Sequence, residues 1–354
     1  MFTKRIGIIS LIFAMAASVM TGCGSDNNSS SEKAAVVSSS SASTATEEDN
    51  TADTKTNSEK ISVVCTIFPE YDWVKQILGD HADNVELTYL LDNGVDLHSY
   101  QPTAEDIVKI STCDLFIYVG GESDEWADDA LAEATNKNMK VVELMDVLGD
   151  SAKEEEVKEG MQAEEEEEEE GEGEEEPEYD EHIWLSLKNA KVLSAAIESK
   201  LAELDPSNAS DYKANLDSYT AKLDELDKSF KELVDKAPVK TLVFGDRFPF
   251  RYFADDYGLD YYAAFVGCSA ETEASFETVA FLAGKIKDLD CKTIFTLENS
   301  DKSIAETVIN TSGKDVEIAE LNSLQSVSKD DVSDGATYLS LMQKNYDVLS
   351  GVLK

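Results

Sequence analysis

The sequence predicts an α/β fold: two βα lobes with mostly parallel sheets, joined by a long rigid helix, with a cleft between them. Three observations carry this. Apolar, β-branched runs alternate with helix-spaced segments from Ile61 to Leu144. The same alternation resumes from Thr241 to Leu321. Between the two lies a long helical stretch with no strand signal at all. A βαβα order places helices on both faces of a parallel sheet.

The elements follow in order. Ile61 to Ile67 is a buried-strand run, and Tyr71 to Leu78 has helical spacing that ends at Gly79. Val85 to Leu91 is strand-like, and Thr103 caps a helix to Ser111 whose first turn is acidic. Asp114 to Val119 is a strand, Trp126 to Ala134 a helix and Lys140 to Leu144 a fourth strand. Leu187 to Leu204 and Ala209 to Val234 are helices broken near Pro206. The second carries Tyr212, Leu216, Tyr219, Leu223 and Leu226 at three- and four-residue steps. Strands at Thr241–Phe244, Leu259–Val266, Thr293–Leu297 and Val316–Leu321 alternate with helices at Phe248–Tyr257, Phe276–Leu289 and Ser303–Thr311. Thr337 to Leu353 is the closing helix.

The N-terminus reads as an address. Lys4 and Arg5 precede an apolar stretch from Ile6 to Val19 that is too short for a membrane span, and small residues lead to Cys23. This start is similar to a bacterial lipoprotein signal, so residues 1–22 are expected to be removed and Cys23 to carry lipid. Residues 23–59, rich in Ser, Thr, Asn and acid, have too little apolar surface to offset ordering entropy and form a tether. The expected folded body divides into a lobe at 60–186 with an acidic insert at 151–181, linking helices at 187–236, and a lobe at 237–354.

The formal net charge of the 354 residues is −43. Loss of residues 1–22 takes away Lys4 and Arg5 and no acid, leaving −45, and residues 154–181 alone carry 18 acids against one lysine. Nucleic acid is excluded as a partner, because phosphate binding needs clustered cationic side chains. Cations are favoured. The cysteines Cys65, Cys113, Cys268 and Cys291 have no C-x-x-C spacing and read as scattered core or site residues.

Of three histidines, two stand in short, distinctive contexts. His98 lies in Gly94-Val95-Asp96-Leu97-His98-Ser99-Tyr100-Gln101-Pro102-Thr103. His182 lies in Glu181-His182-Ile183-Trp184-Leu185, ahead of Asn189-Ala190 and after the glutamate run. Imidazole is the commonest ligand for zinc-like ions. Ligands in parallel sheets gather beyond the carboxyl ends of strands. By the strand order, His98, His182, Asp246, Cys268 and Glu298 all follow strands and are candidates for one cleft. His81, in a helix-to-strand turn, reads as a surface residue.

These motifs resemble the zinc- and manganese-binding solute-binding lipoproteins of bacterial ABC importers, over residues 60–354. The segment Phe250, Tyr252, Phe253, Ala254, Tyr257, Gly258, Leu259 is similar to the stretch that follows that family's third ligand. The resemblance implies a monomeric, extracytoplasmic, lipid-anchored receptor that binds a divalent metal as cargo and hands it to a membrane permease. It implies no enzyme, and the chain has no nucleophile elbow, phosphate loop or H-E-x-x-H motif. Competing readings are an adhesin or sensor lipoprotein with the same fold, and a metal-dependent hydrolase.

Two departures from the family pattern stand out. Arg247 occupies the position of the usual third histidine, and a guanidinium cannot ligate a cation. Asn322 stands where some members carry an acidic ligand. Asp246, Cys268 and Glu298 are the possible replacements. A thiolate favours zinc, whereas carboxylates leave manganese open. The glutamate run reads either as a weak cation collector or as a solvated spacer. On both readings, deletion of residues 154–178 leaves the fold and the tight site intact.

Overall fold

The computed structural model describes residues 60–162, 178–269 and 273–354. Cys23, expected to carry lipid, the expected tether and most of the glutamate run lie outside these residues.

The first half runs β1 (Ile61–Cys65), α1 (Phe68–Leu78), β2 (Val85–Tyr89), α2 (Ala104–Thr112), β3 (Leu115–Tyr118), α3 (Trp126–Ala132), β4 (Lys140–Glu143) and α4 (Leu144–Leu148). Its sheet has the order β2-β1-β3-β4 with every pair parallel, as the alternation requires. Val63, Cys65, Phe116 and Ile117 are fully buried, which is why β3 reads as an unbroken apolar run and β1 as one from residue 63 on. Thr103 caps α2 in a reciprocal box with Asp106.

The linkers are α5 (Leu187–Leu204) and α6 (Ala209–Lys236). The 28 residues of α6 span about 42 Å at 1.5 Å per residue. Its buried stripe of Tyr212, Leu216, Tyr219, Leu223, Leu226, Phe230 and Val234 serves both halves. Near its start, Asn215 Nδ2 donates to Ile77 O of α1 at 3.0 Å. Toward its end, Phe230 packs against Phe253, Tyr257 and Tyr346 of the second half.

The second half comprises β5 (Thr241–Val243), β6 (Arg247–Phe248), α7 (Arg251–Tyr257), β7 (Asp260–Tyr262), β8 (Phe265–Val266), α8 (Phe276–Asp288), β9 (Thr293–Leu297), α9 (Ser303–Ser312), β10 (Glu317–Leu321), α10 (Lys329–Ser333) and α11 (Tyr338–Val352). Parallel pairs β5–β7, β6–β8 and β9–β10 form it, and a bridge between Phe244 and Phe295 ties the first to the last. A separate small core of Val243, Phe265, Leu282, Ile286, Ile294 and Val308 fills the space under α8 and α9.

Two expectations are corrected here. The single strand expected over 259–266 is two strands, β7 and β8, with different partners. The helix expected from Phe248 starts at Arg251, because Arg247–Phe248 pairs as β6 and Pro249 follows it. A residue before proline is held extended.

A third correction concerns the insert. Residues 153–162 are docked, not a free spacer. Asp180 N donates to Lys153 O at 2.9 Å and Glu155 N to Glu178 O at 2.8 Å, so the two ends of the insert pair with each other. Lys153 N donates to Tyr252 Oη at 2.9 Å, and Lys158 Nζ pairs with Asp260 at 2.6 Å while lying over the Tyr261 ring. Gln162 N donates to Ala264 O at 2.9 Å. This strap fastens the first half to the second, so a cut from 154 to 178 removes a built element.

Candidate metal centre

His98 sits in a 3-10 turn, Leu97–Ser99, beyond β2, and His182 stands immediately before the 3-10 turn Ile183–Leu185. One local device sets both. In Asp96-Leu97-His98 and in Asp180-Glu181-His182, the Asp Oδ1 accepts the histidine's backbone N–H, at 3.1 and 2.9 Å. Asp-x-His occurring twice was therefore a readable signal that sequence reasoning passed over.

The rings are fixed from behind. His182 Nδ1 lies 3.0 Å from Asp180 Oδ1, and its side chain is fully buried against Trp184. His98 Nδ1 lies 2.7 Å from Ser123 Oγ and 3.4 Å from Glu181 Oε2. Ser123 N donates to Glu181 Oε1 at 2.8 Å. A carboxylate behind Nδ1 fixes the tautomer and leaves the Nε2 lone pair facing forward. Gly121 permits this arrangement: its φ is +86°, and a Cβ there would fall 2.5 Å from Glu181 Oε1. The backbone of Gly267 similarly closes on the His182 ring, where a Cβ would lie 3.1 Å from Nδ1.

The two Nε2 atoms face each other at 3.2 Å. Two lone pairs at that distance repel unless a proton or a cation lies between them. Two nitrogens bound to tetrahedral zinc at about 2.05 Å would stand about 3.3 Å apart. Cys268, beyond β8, brings Sγ to 4.0 Å from His182 Nδ1. One ligand atom from each of His98, His182 and Cys268 lies within 4.8 Å of the other two. A zinc-bound nitrogen and sulfur stand about 3.6 Å apart. The thiol's contact is with Nδ1, on the Asp180 side of the ring, so binding an ion held between the two Nε2 atoms requires the Cys268 side chain to move toward Nε2. Among the described residues this is the one such group.

Asp246 and Glu298 lie outside it. Asp246 Oδ2 accepts Leu297 N at 3.2 Å and Oδ1 accepts Arg247 N at 3.0 Å. Glu298 accepts Ser323 N at 2.7 Å and Ser323 Oγ at 2.6 Å. Both carboxylates are committed to holding strand-end loops. Asn322 is held locally as well: its backbone N–H and carbonyl bond to Asn345, and its Oδ1 accepts Leu324 N at 2.9 Å. Three residues on, the buried Gln325 faces the histidines, with Nε2 3.5 Å from His98 Nε2. Turned over, its amide nitrogen donates to Asp96 Oδ1 at 2.8 Å and its oxygen meets His182 Nε2. Sequence reasoning missed Gln325, which is 227 residues from its partner.

Arg247 forms an ion pair with Asp96, joining β6 to the His98 turn across the cleft. His81 sits apart, beside Asp211 and the edge of Tyr212. Cys65 and Cys113 are buried core residues, and no described cysteine is bridged.

The site opens into a cavity of about 1080 Å³. Its wall carries Glu122, Glu125, Glu143, Asp146, Glu155 and Glu181 and no lysine or arginine among its lining residues. Such a wall concentrates cations.

Burial, then the neighbouring His182, holds His98 down at about 3; Asp96 opposes this and Arg247 adds to it. Burial, then the negative charge of Asp180, Glu155 and Glu181, pushes the Cys268 thiol well up. A metal must displace that proton, so affinity rises with pH. For His98 the folded pKa lies below the unfolded value of about 6.5. Its stabilising contribution is complete above pH 6.5 and is lost as pH falls from there toward about 3. Buried carboxyls act in the opposite sense, Asp124 among them, pushed up to about 7 by burial and then Glu181. The expected result is therefore a difference: between pH 6.5 and 4 the metal-free chain loses more Tm than its His98→Asn variant does. Parallel melting curves would contradict this.

Comparison with known proteins places the geometry in context. The family model described as zinc-uptake complex component A, periplasmic (ZnuA), matches residues 63–352. The high-affinity zinc uptake system protein ZnuA of Bacillus subtilis is 33% identical over 303 residues, 86% of this chain and 90% of that protein. The zinc-binding lipoprotein AdcA of Streptococcus pneumoniae strain R6 is 31% identical over 290 residues, 82% of this chain. The chain spans only 55% of AdcA's length. The crystal structure of the Zn(II)-bound ZnuA-like domain of S. pneumoniae AdcA superposes with a TM-score of 0.64 at 28% identity, covering 83% of this chain and 99% of that domain.

Proposed function

This chain belongs to the ZnuA family of zinc-uptake components, and on that premise we propose that it is an extracytoplasmic receptor for a divalent transition metal, zinc before manganese, which it delivers to a membrane ABC permease. The observation that carries the reading is the pair of inward-facing Nε2 atoms 3.2 Å apart beside a thiol. His98, His182 and Cys268 are the proposed donors, with a fourth position open to the cavity. Two imidazoles and a soft thiolate favour zinc over manganese, which prefers oxygen. The family is one of metal-binding transport receptors, and no step of chemistry is assigned to the cargo ion.

Lipidation at Cys23 and the tether to residue 59 complete the proposal, holding the lobes near the permease. Asp246 and Glu298 act in it as braces for the loops rather than as donors. Growth under zinc chelation tests the function. Cells lacking this gene should need added zinc but not added manganese, and the wild-type gene should rescue them where a His98→Ala, His182→Ala double variant does not. Normal growth of the deletion strain across the chelator series, with loss of surface adhesion instead, would favour the adhesin reading.

A further inference from the structure

The docked strap reaches the proposed metal centre through one residue. Glu155 Oε1 accepts the backbone N–H of Cys268 at 3.0 Å. Cys268 lies just past the end of β8, so this amide has no ladder partner within that strand. Glu155, Cys268 and His98 line the same cavity. On one side of Glu155, Lys153 is fastened to Tyr252 and to Asp180, the residue behind His182. On the other side, Glu156 takes Arg251 at 3.3 Å and the Tyr261 hydroxyl at 3.3 Å, and Lys158 takes Asp260. The strap is thus anchored on both sides of the carboxylate that accepts the Cys268 amide.

We propose that Glu155 is a positioning residue for the metal centre: carried across the cleft by the strap, it holds the Cys268 amide so that the thiol stands beside His182, and it thereby sets the preference for thiophilic zinc over manganese. This rests on the proposed role of Cys268 as a donor. The physical basis is that partners behind a ligand fix its orientation, and losing one weakens metal binding by about 10–100-fold. Manganese gains little from a thiolate, so its binding should depend little on where the thiol stands. The acidic insert then has two parts with two tasks. The glutamates at 164–176 contribute charge, and the docked part helps to build the site.

The test uses the full chain loaded with cobalt(II), whose thiolate charge-transfer band reports the Cys268–metal bond, together with zinc and manganese affinities from chelator competition. Glu155→Ala should weaken the band and lower zinc affinity about tenfold, with manganese affinity changed less than about twofold. Glu155→Gln keeps an acceptor for the amide and should behave like wild type. Should Glu155→Ala not fold, Glu155→Asp, one methylene shorter, should show the same weakened band. Deletion of 163–177 alone should leave the band intact. Cys268→Ser separates the two readings. A wild-type protein with no band, unchanged by Cys268→Ser, would remove Cys268 from the site. A band lost in Cys268→Ser but undiminished in Glu155→Ala or Glu155→Asp would overturn the positioning role alone. Equal loss in Glu155→Gln and Glu155→Ala would also overturn it, since charge rather than the hydrogen bond would then be acting.

Discussion

Replacing His98 or His182 with alanine lowers zinc affinity by about a hundredfold, whereas His81→Ala leaves it unchanged within about twofold. The magnitude follows from sharing roughly 10–16 kcal/mol of structural zinc binding among about four donors, or about 3 kcal/mol each. Each substitution removes one of two Nε2 atoms that stand 3.2 Å apart. It also strands a partner: Asp180 behind one ring, Ser123 and Glu181 behind the other. His81 has its own partner in Asp211 and lies outside the donor group. Chelator-competition titration of the three variants checks the order. Equal losses at all three positions would place the cation elsewhere.

Arg247→His should do the reverse and tighten zinc binding by at least about tenfold. Arg247 carries a positive charge into the ion pair with Asp96, two residues from His98, and it helps to suppress protonation of His98. A cation that opposes a proton on this ring opposes a metal ion there too. Histidine removes that repulsion and offers a further imidazole from the second half. Arg247→Ala is the control, because it removes the charge without adding a donor. It also leaves Asp96 without its ion-pair partner, so its net effect should be smaller. Equal affinities for the histidine and alanine variants would show that position 247 does not face the ion.

How far the sequence was legible depends on how local each cause is. The helix at Leu187–Leu204 was readable to the residue, because Ser186 caps it and Asp205-Pro206 ends it. Strand β3 was readable because burial on both faces leaves Leu115, Phe116, Ile117 and Tyr118 with no charged or small polar residue among them. His98 and His182 were readable from rarity and context, and Cys268 from its place after a strand. The break between β7 and β8 was hidden, since Leu259 to Val266 is uniformly apolar or aromatic apart from Asp260 and only the choice of partner strand divides it. The docking of residues 153–162 was hidden for a similar reason. Locally they are charged and unpatterned; their partners Tyr252, Asp255, Asp260 and Ala264 lie about a hundred residues away. Gln325 was invisible because nothing in its surroundings marks a residue that the fold delivers to a histidine.

The central claim is that a metal sits between the two imidazoles with the Cys268 thiolate bound to it. Anomalous scattering at the zinc edge from crystals of the zinc-loaded chain tests this directly. The account predicts one strong peak at about 2.0–2.1 Å from Nε2 of both His98 and His182 and about 2.3 Å from Cys268 Sγ. A peak bound instead by Asp246 and Glu298, or one that leaves either histidine uncoordinated, would contradict it.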